Sequence, residues 1–206
     1  MLPRFYQIVD RAHWLPRLLP LGLKLVQLRI KDLDPDHRRQ EIREALAACR
    51  AAGATLVVND FWRDAIDLEA GYVHLGQEDL AEADVAAIRR AGLKLGVSTH
   101  SHEELETALA ADPDYVALGP VYPTTLKVMP WAPQGLERVT EWKRLIGDRP
   151  LVAIGGLTLE RAEAVAAAGA DTLSVVSDVL SNPSPEARLR AWLAAAERWP
   201  GGAAAA

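Results

Sequence analysis

The sequence predicts an α/β protein that folds as a single (β/α)8 barrel, the TIM-barrel class. Short apolar runs rich in β-branched residues alternate with longer stretches of helical spacing, a pattern typical of parallel strands covered by helices. These runs number eight, and eight strand–helix units close naturally into a barrel. The alternative, an open doubly wound sheet that binds a dinucleotide, is disfavoured because no G-x-G-x-x-G turn follows the first run.

The predicted strands are short, and four of the segments between them have the apolar spacing of helices. In the longest of these, apolar residues at positions 42, 46 and 49 fall on one helical face. The predicted strands are Phe5–Val9, Leu25–Ile30, Thr55–Asn59, Tyr72–Leu75, Lys94–Ser98, Tyr115–Leu118, Leu151–Ile154 and Thr172–Val176. The predicted helices are Pro35–Ala52, Ala81–Ala91, His102–Ala111 and Leu159–Ala168.

Capping residues and one long loop complete the local pattern. Asp34, Ser101 and Thr158 stand directly before three of the predicted helices, where an oxygen-bearing side chain can accept from the first free N–H groups. The longest stretch without a predicted element is Gly119–Gln134. Loops of that length are often binding loops or lids, so we expect this one to close over the site.

Composition limits the classes of function. The 206 residues are 50% hydrophobic and 25% charged, and they predict one domain over residues 1–200 with a low-complexity tail at 201–206. A net charge of −5 argues against a nucleic-acid or membrane partner but allows small phosphorylated ligands. The single Cys49 excludes an internal disulfide and fits the cytoplasm. We expect neither a signal peptide nor a membrane span, and homo-oligomerisation stays open.

Basic side chains follow the second predicted strand. In a barrel the active site lies at the carboxyl ends of the strands. Strand alternation places Gln27, Arg29 and Lys31 on one face there, directed to the barrel interior. Burying cations is costly unless an anion compensates, which predicts an anion-binding role. A structural ion pair with an acidic neighbour is the alternative.

Two carboxylates follow the third and fourth predicted strands. Asp60 comes directly after one strand, and Asp79 lies four residues after the other. Because adjacent parallel strands end at the same edge, the two side chains are expected to meet there. Mg²⁺ prefers one or two carboxylates together with water and phosphate oxygens, so the pair predicts a Mg²⁺ site. The alternative is that each merely caps the following helix.

The remaining strand ends carry phosphate-binding signals. Ser98 ends the fifth strand, Lys127 lies in the long loop, and a Gly155–Gly156 pair ends the seventh strand, with Ser177 after the eighth. Barrels often bind phosphate through the loops after strands seven and eight. These groups predict two anion subsites, one for a Mg²⁺-bound diphosphate and one for a monophosphate. His74 lies inside a strand and is interpreted as a core residue or as one that supports a site residue from behind, without an acid–base role.

These strand-end segments, in this order and spacing, resemble the thiamine-phosphate synthase family over nearly the whole chain. They read QLRIK at 27–31, VND at 58–60, VHLGQED at 73–79, GVSTH at 96–100, GPVYPT at 119–124, APQGL at 132–136, VAIGG at 152–156 and VVS at 175–177. The resemblance implies a TIM barrel that joins 4-amino-5-hydroxymethyl-2-methylpyrimidine diphosphate to a thiazole phosphate, giving thiamine phosphate and diphosphate.

The resemblance also implies roles for individual residues. Mg²⁺ would be held by Asp60 and Asp79. The pyrimidine diphosphate would be bound by Gln27, Arg29, Lys31, Asn59, Ser98 and Lys127. The thiazole phosphate would be bound by Thr124, Thr125, Leu126, Gly156, Val176 and Ser177. The implied mechanism is dissociative: the bond to diphosphate breaks first, while Arg29, Lys31 and Lys127 stabilise the departing charge.

Two residues depart from the family pattern. Leu126 stands where the family has a hydroxyl that contacts the thiazole phosphate, and Asp178 introduces a carboxylate that would repel a phosphate if it faced one. These departures keep open a catalytically weak relative that binds a phosphorylated ligand for regulation. A thiazole tautomerase-like relative is disfavoured, because that protein uses a His in the loop where this chain has Pro120.

Overall fold

The computed structural model describes residues 2–124 and 132–199, and these form a closed barrel of eight parallel strands. Each strand pairs with its neighbours in chain order, and the eighth returns to pair with the first. The strands are β1 (Phe5–Val9), β2 (Leu25–Leu28), β3 (Thr55–Asn59), β4 (Tyr72–Leu75), β5 (Lys94–Thr99), β6 (Tyr115–Leu118), β7 (Leu151–Ile154) and β8 (Thr172–Val175). The predicted (β/α)8 TIM barrel is confirmed.

Three strand ends differ from the predicted ones. The second strand ends at Leu28 rather than Ile30, because β1 ends at its pairing partner Val9 and only the Arg29 N–H still reaches the Val9 carbonyl. The fifth strand continues to Thr99, which pairs with the last residue of β6. The eighth stops one residue early, because the backbone turns at Val176 into the next helix.

Helices cover the outside of the barrel. Within the described ranges there are ten α-helices, and none is long and apolar enough to cross a membrane. They are α1 (Leu15–Leu18), α2 (Pro35–Ala51), α3 (Trp62–Asp67), α4 (Gln77–Glu82), α5 (Val85–Arg90), α6 (His102–Ala110), α7 (Gly135–Ile146), α8 (Leu159–Ala167), α9 (Ser177–Leu180) and α10 (Pro185–Ala196). Two 3-10 turns, Ala12–Trp14 and Leu19–Leu21, flank α1.

Three of the four predicted helices are present, and the fourth is divided. The predicted Ala81–Ala91 helix is broken into α4 and α5, because Ala83 is extended and the Asp84 side chain caps a new helix by accepting from the Ala87 N–H. Asp34 and Ser101 cap α2 and α6 as predicted. Thr158 occupies the capping position of α8, but its side chain makes no capping hydrogen bond, so that prediction is wrong.

Buried apolar side chains form two clusters, one outside the barrel sheet and one inside it. The larger cluster lies between the strands and the surrounding helices. The smaller fills the lower part of the barrel interior and consists of Leu2, Tyr6, Leu25, Val57, Tyr115, Ala117 and Val152, with Tyr72 against it. The lower interior is therefore a packed core. In barrels of this class, ligands bind at the carboxyl ends of the strands. We call these strand ends and the loops that follow them the carboxyl-end rim.

The ring of Tyr115 fits inside the barrel because the neighbouring strand has no side chain beside it. Tyr115 pairs with Gly96 across the β5–β6 ladder. A Cβ atom built on Gly96 would lie 2.0 Å from the Tyr115 Cζ atom, far inside van der Waals contact. The glycine at this position is therefore a packing requirement of the buried, fully enclosed Tyr115 ring.

We expect Gly96→Ala to destabilise the fold by about 3 kcal/mol, because overpacking a rigid core forces the ring and its backbone apart. Chemical denaturation followed by circular dichroism measures the change in the free energy of unfolding. Gly71→Ala is the matched control, since nothing lies within 4 Å of a Cβ atom at Gly71. Equal stabilities for the two variants would contradict the packing account.

Candidate active site

The carboxyl-end rim holds the described residues that the sequence predicts as site residues. Gln27 lies on β2 and Ser98 on β5, and both face the barrel interior. Asn59 is buried at the end of β3. Gly156 follows β7, and Val176 and Ser177 follow β8. Of the long-loop candidates, Thr124 is described, whereas Thr125, Leu126 and Lys127 lie outside the described residues, as does most of the proposed lid and the 201–206 tail.

The two basic residues after β2 differ in their surroundings. Lys31 donates to a carboxylate oxygen of Asp60 at 2.9 Å, so the ion pair weighed as the alternative is present for this residue. Arg29 is half-buried, and its positive charge acts on the nearby His74 ring. No carboxylate among residues 2–124 and 132–199 forms an ion pair with Arg29. A half-buried cation without a carboxylate is suited to receive an anionic ligand.

The carboxylates of Asp60 and Asp79 lie against each other. Burial, together with the neighbouring negative charge and hydrogen bond of Asp60, raises the pKa of Asp79. Asp60 has a left-handed backbone, with φ of 65°, and its N–H donates to the His74 carbonyl, which fixes it at the end of β3. A cleft of about 410 Å³ reaches both side chains from the side of α2 and α3.

The capping alternative fails for both carboxylates, and the pair fits a hard cation. The residue before α3 is Phe61, and that before α4 is Gly76, and neither helix has a side-chain cap. Two acidic groups in contact repel each other unless a proton or a cation lies between them. No cluster of three or more His, Cys, Asp or Glu ligands occurs in the described part of the chain. The donor set therefore suits Mg²⁺, which completes its shell with water and phosphate oxygens.

Beneath the rim, hydrogen-bonded side chains cross the barrel interior from β2 to β5. The Gln27 amide nitrogen donates to the Tyr6 hydroxyl at 2.9 Å, and the Tyr6 and Tyr115 hydroxyls lie 3.2 Å apart. The Tyr115 hydroxyl lies 2.8 Å from His74 Nδ1, and His74 Nε2 lies 2.8 Å from the Ser98 hydroxyl. We call this set the interior chain. It connects two predicted substrate-binding residues through the core.

His74 is a buried, neutral member of the interior chain. Its pKa is lowered to about 4, mainly by burial; the Asp60 charge opposes this shift and the Arg29 charge adds to it. Its ring stacks on Tyr115 with 5.6 Å between the centroids. The sequence interpretation of a core residue fits this placement. The partly buried His100, which follows β5, contacts the Glu104 carboxylate through both its backbone and its ring nitrogen.

The turn after β7 packs closely against the backbone of the loop after β6. Gly155 and Gly156 have φ of 95° and 65°, a region that glycine adopts readily. A Cβ atom on Gly156 would lie 2.5 Å from the Pro123 carbonyl oxygen, so the β6 loop packs directly on this turn. The N–H groups of Val121 and Tyr122 donate to the carbonyls of residues 154 and 155 and hold the two loops together.

The Asp178 carboxylate is bound by α10 and does not take the orientation in which it would repel a phosphate. Its carboxylate accepts from Arg188 Nε at 2.8 Å and from Arg188 Nη2 at 3.1 Å, and the Trp192 indole donates to it at 2.6 Å. All three donors belong to α10. The charge is therefore neutralised on the helix side, where it fixes α9 against α10 behind Ser177.

Sequence reasoning missed three residues that shape the site. Gln77 donates to the Ser98 carbonyl at 2.7 Å and so fixes the end of β5. Tyr6 and Tyr115 connect Gln27 to Ser98 through the core. The alternation of inward-facing positions along β1 and β6 was the available signal, but it does not show which inward side chains from distant strands touch.

The fold and the rim define a (β/α)8 barrel with an acidic pair, adjacent cations and a glycine-lined turn at its carboxyl end. A family model described as thiamine monophosphate synthase matches residues 6–179. A thiamine-phosphate synthase from Rhizobium etli is 63% identical over 198 residues, which cover 96% of this chain and 97% of that relative. One from Neisseria meningitidis serogroup A is 47% identical over 191 residues, 93% of each chain.

A solved structure agrees with these relatives. The thiamine phosphate pyrophosphorylase from Pyrococcus furiosus superposes with a TM-score of 0.84 at 26% identity, covering 97% of this chain and 98% of that one. The chain therefore belongs to the thiamine monophosphate synthase family. The family and the transferase class predicted from the strand-end motifs are confirmed.

We expect Asp178→Asn to lower the free energy of unfolding by about 2 kcal/mol, because Arg188 and the Trp192 indole lose the charged group that they share and only Glu160 still pairs with Arg188. Asp148→Asn, at an exposed carboxylate, is the matched control and should change stability by less than about 0.5 kcal/mol. Thermal and urea unfolding of the two variants provide the comparison. A neutral Asp178→Asn variant would show that this ion pair does not hold α9 in place.

Proposed function

We propose that this chain forms thiamine phosphate by transferring the hydroxymethylpyrimidine group from its diphosphate ester to a thiazole phosphate, with release of diphosphate. Family membership supports the reaction. The observation that carries the proposal is the Asp60–Asp79 pair, which lies in contact with Lys31 at the same rim as Arg29. The glycine-lined turn lies in a separate sector, after β7, and supplies a second anion subsite.

The diphosphate subsite is assigned to the sector formed by β2 to β5. Arg29 and Lys31 would neutralise diphosphate oxygens, and Ser98 would donate a hydrogen bond to them. Gln27 and Asn59 are buried at the base of this sector and would orient the pyrimidine. Lys127 keeps its predicted role as a further cation from the long loop.

Asp60 and Asp79 are the residues that would hold Mg²⁺. When bound, the ion would neutralise negative charge that builds on the diphosphate as it leaves. The placement of Lys31 beside Asp60 is compatible with this role, because a diphosphate in the same sector would offer Lys31 a second anionic partner.

The thiazole phosphate subsite is assigned to the turns after β7 and β8. The backbone around Gly156, Val176 and Ser177 would donate N–H groups to phosphate oxygens, and Gly156 allows the closest approach. The Asp178 carboxylate is bound by Arg188 and Trp192, so it does not argue against a phosphate at this turn. Thr124, Thr125 and Leu126 keep their predicted roles in this subsite.

The proposed mechanism is dissociative. The C–O bond to diphosphate breaks first, the amino-substituted pyrimidine stabilises the methylene cation, and the thiazole nitrogen captures it. The chain's contribution is electrostatic, since Arg29 and Lys31 stabilise the leaving charge without a general base. A neutral His74, buried beneath the rim, agrees with the absence of acid–base work from this side chain. Exclusion of water protects the cation from hydrolysis.

The cellular location of the protein and the redox state of its thiol stay predictions. The surroundings of Cys49 bear on both. Its side chain is buried, and burial raises the pKa of the thiol to about 11. The thiol is therefore protonated and unreactive at neutral pH, in keeping with the proposed cytoplasmic location.

With Mg²⁺ and both phosphorylated substrates, we expect the purified protein to release diphosphate and to form thiamine phosphate, measured by chromatography. Asp60→Asn and Asp79→Asn should each lower kcat/KM at least about a hundredfold, because each removes a charged Mg²⁺ ligand. Asn tolerates the left-handed backbone of Asp60, so stability should change little. Glu78→Gln is the control, because Glu78 is exposed and precedes Asp79 on α4. Full activity of both Asn variants would contradict the assigned metal site.

We expect Leu126→Thr to lower the KM for the thiazole phosphate about threefold to tenfold, because it restores a hydroxyl that can hydrogen-bond the phosphate. The KM for the pyrimidine diphosphate should stay the same. Initial rates with each substrate varied in turn separate the two constants. An unchanged KM for the thiazole phosphate would place residue 126 outside that subsite.

A further inference from the structure

We propose that Tyr6 and Tyr115 are positioning residues that act through the interior chain, whose hydrogen bonds all run one way and direct the Ser98 proton towards the leaving diphosphate. The inference rests on the proposed function and extends it to residues that lie below the rim. It assigns a role to two buried hydroxyls that no substrate reaches, since both tyrosines are at most 1% exposed.

The direction that we assign to the interior chain starts from its Gln27 end. The Gln27 amide nitrogen has only protons to offer, so the Tyr6 hydroxyl must accept from it at 2.9 Å. The proton of Tyr6 is then available to the Tyr115 oxygen, 3.2 Å away, and that of Tyr115 to His74 Nδ1 at 2.8 Å. Once Nδ1 accepts, a neutral imidazole carries its single proton on Nε2.

The hydrogen bond between His74 and Ser98 leaves the Ser98 hydroxyl proton available to a ligand. His74 Nε2 then donates to the Ser98 oxygen at 2.8 Å, and the hydroxyl proton of Ser98 is free to point to the rim. Ser98 is half-buried at the end of β5, and Gln77 fixes its backbone by donating to its carbonyl at 2.7 Å. A hydroxyl that already accepts a hydrogen bond is a stronger donor, because successive bonds polarise one another.

Both tyrosines are built to keep their protons. Burial raises the pKa of each phenol well above its ordinary value, so neither ionises at neutral pH. The Gly96 position gives the Tyr115 ring its place between β5 and β6, and the Tyr6 and Tyr115 rings meet edge to face with 6.3 Å between centroids. The hydroxyl positions are therefore fixed by packing, which gives the interior chain a single geometry.

The tautomer of His74 tests the direction in the unaltered protein. Long-range proton–nitrogen correlation spectra of ¹⁵N-histidine-labelled protein distinguish a proton on Nε2 from one on Nδ1. The five histidine signals are separated by comparison with His74→Gln. We expect a neutral ring with the proton on Nε2. A proton on Nδ1 would reverse the bonds that join Tyr115, His74 and Ser98 and would overturn the proposal, whatever the activity of the protein.

Kinetics of Tyr115→Phe test the consequence for the substrate. Removal of this hydroxyl takes away the donor to His74 Nδ1, so the tautomer becomes mixed and Ser98 loses its fixed donor role. We expect kcat/KM for the pyrimidine diphosphate to fall about tenfold, with an unchanged KM for the thiazole phosphate. Tyr72→Phe is the matched control, since its ring packs 6.4 Å from that of Tyr115 while its hydroxyl is not part of the interior chain.

A double-mutant cycle with Ser98→Ala separates positioning from simple loss of packing. If Tyr115 acts through Ser98, Tyr115→Phe should cause no further loss in the Ser98→Ala background. Losses that multiply would overturn the proposal, and so would equal effects of Tyr115→Phe and Tyr72→Phe. If the unaltered protein formed no thiamine phosphate, the proposed function would fail separately, because the tautomer measurement does not depend on turnover.

Discussion

The side chains that fill the barrel interior decide where the strands can pack and where a site can form. Eight strands leave room for side chains and none for a channel, and here the lower interior is occupied by two tyrosine rings and five aliphatic side chains. Tyr115 occupies its place only because Gly96 has no side chain beside it. The same ring carries the hydroxyl that contacts His74, so a packing requirement and the hydrogen bonds beneath the site share one residue.

Charge at the rim is arranged by sector. Acidic and basic side chains meet between β2 and β4, where Lys31 contacts Asp60 and Asp60 contacts Asp79. The sector after β7 and β8 offers backbone groups instead, and the nearby Asp178 carboxylate is bound by α10. An overall charge of −5 is therefore compatible with anionic substrates, because the cations stand where the proposed diphosphate would bind.

The sequence predicts much of this, because a barrel strand is a short apolar run and the site residues follow such runs. All eight strands and the rim positions of the described candidates are found where the pattern puts them. The helices α7 and α10 were missed although buried residues such as Trp142 and Trp192 recur at helical spacing in both. The four-residue α9 is too short for periodicity to reveal.

Contacts between distant parts of the chain are what the sequence does not reveal. Tyr6 and Tyr115 are 109 residues apart and meet only because the barrel closes. From the sequence alone, Asp178 could repel a phosphate. In the fold, Arg188 and Trp192 of the following helix bind its carboxylate. Such pairings depend on the three-dimensional arrangement of side chains, which strand and helix patterns do not encode.

We propose that Asp60, Asp79 and Arg29 form one Mg²⁺-dependent diphosphate subsite. Titration calorimetry with inorganic diphosphate, the proposed product, tests it without requiring turnover. We predict binding in the presence of Mg²⁺ that weakens at least about tenfold when Mg²⁺ is omitted, and by a similar factor in Arg29→Gln with Mg²⁺ present. The same Kd under all three conditions would contradict the account.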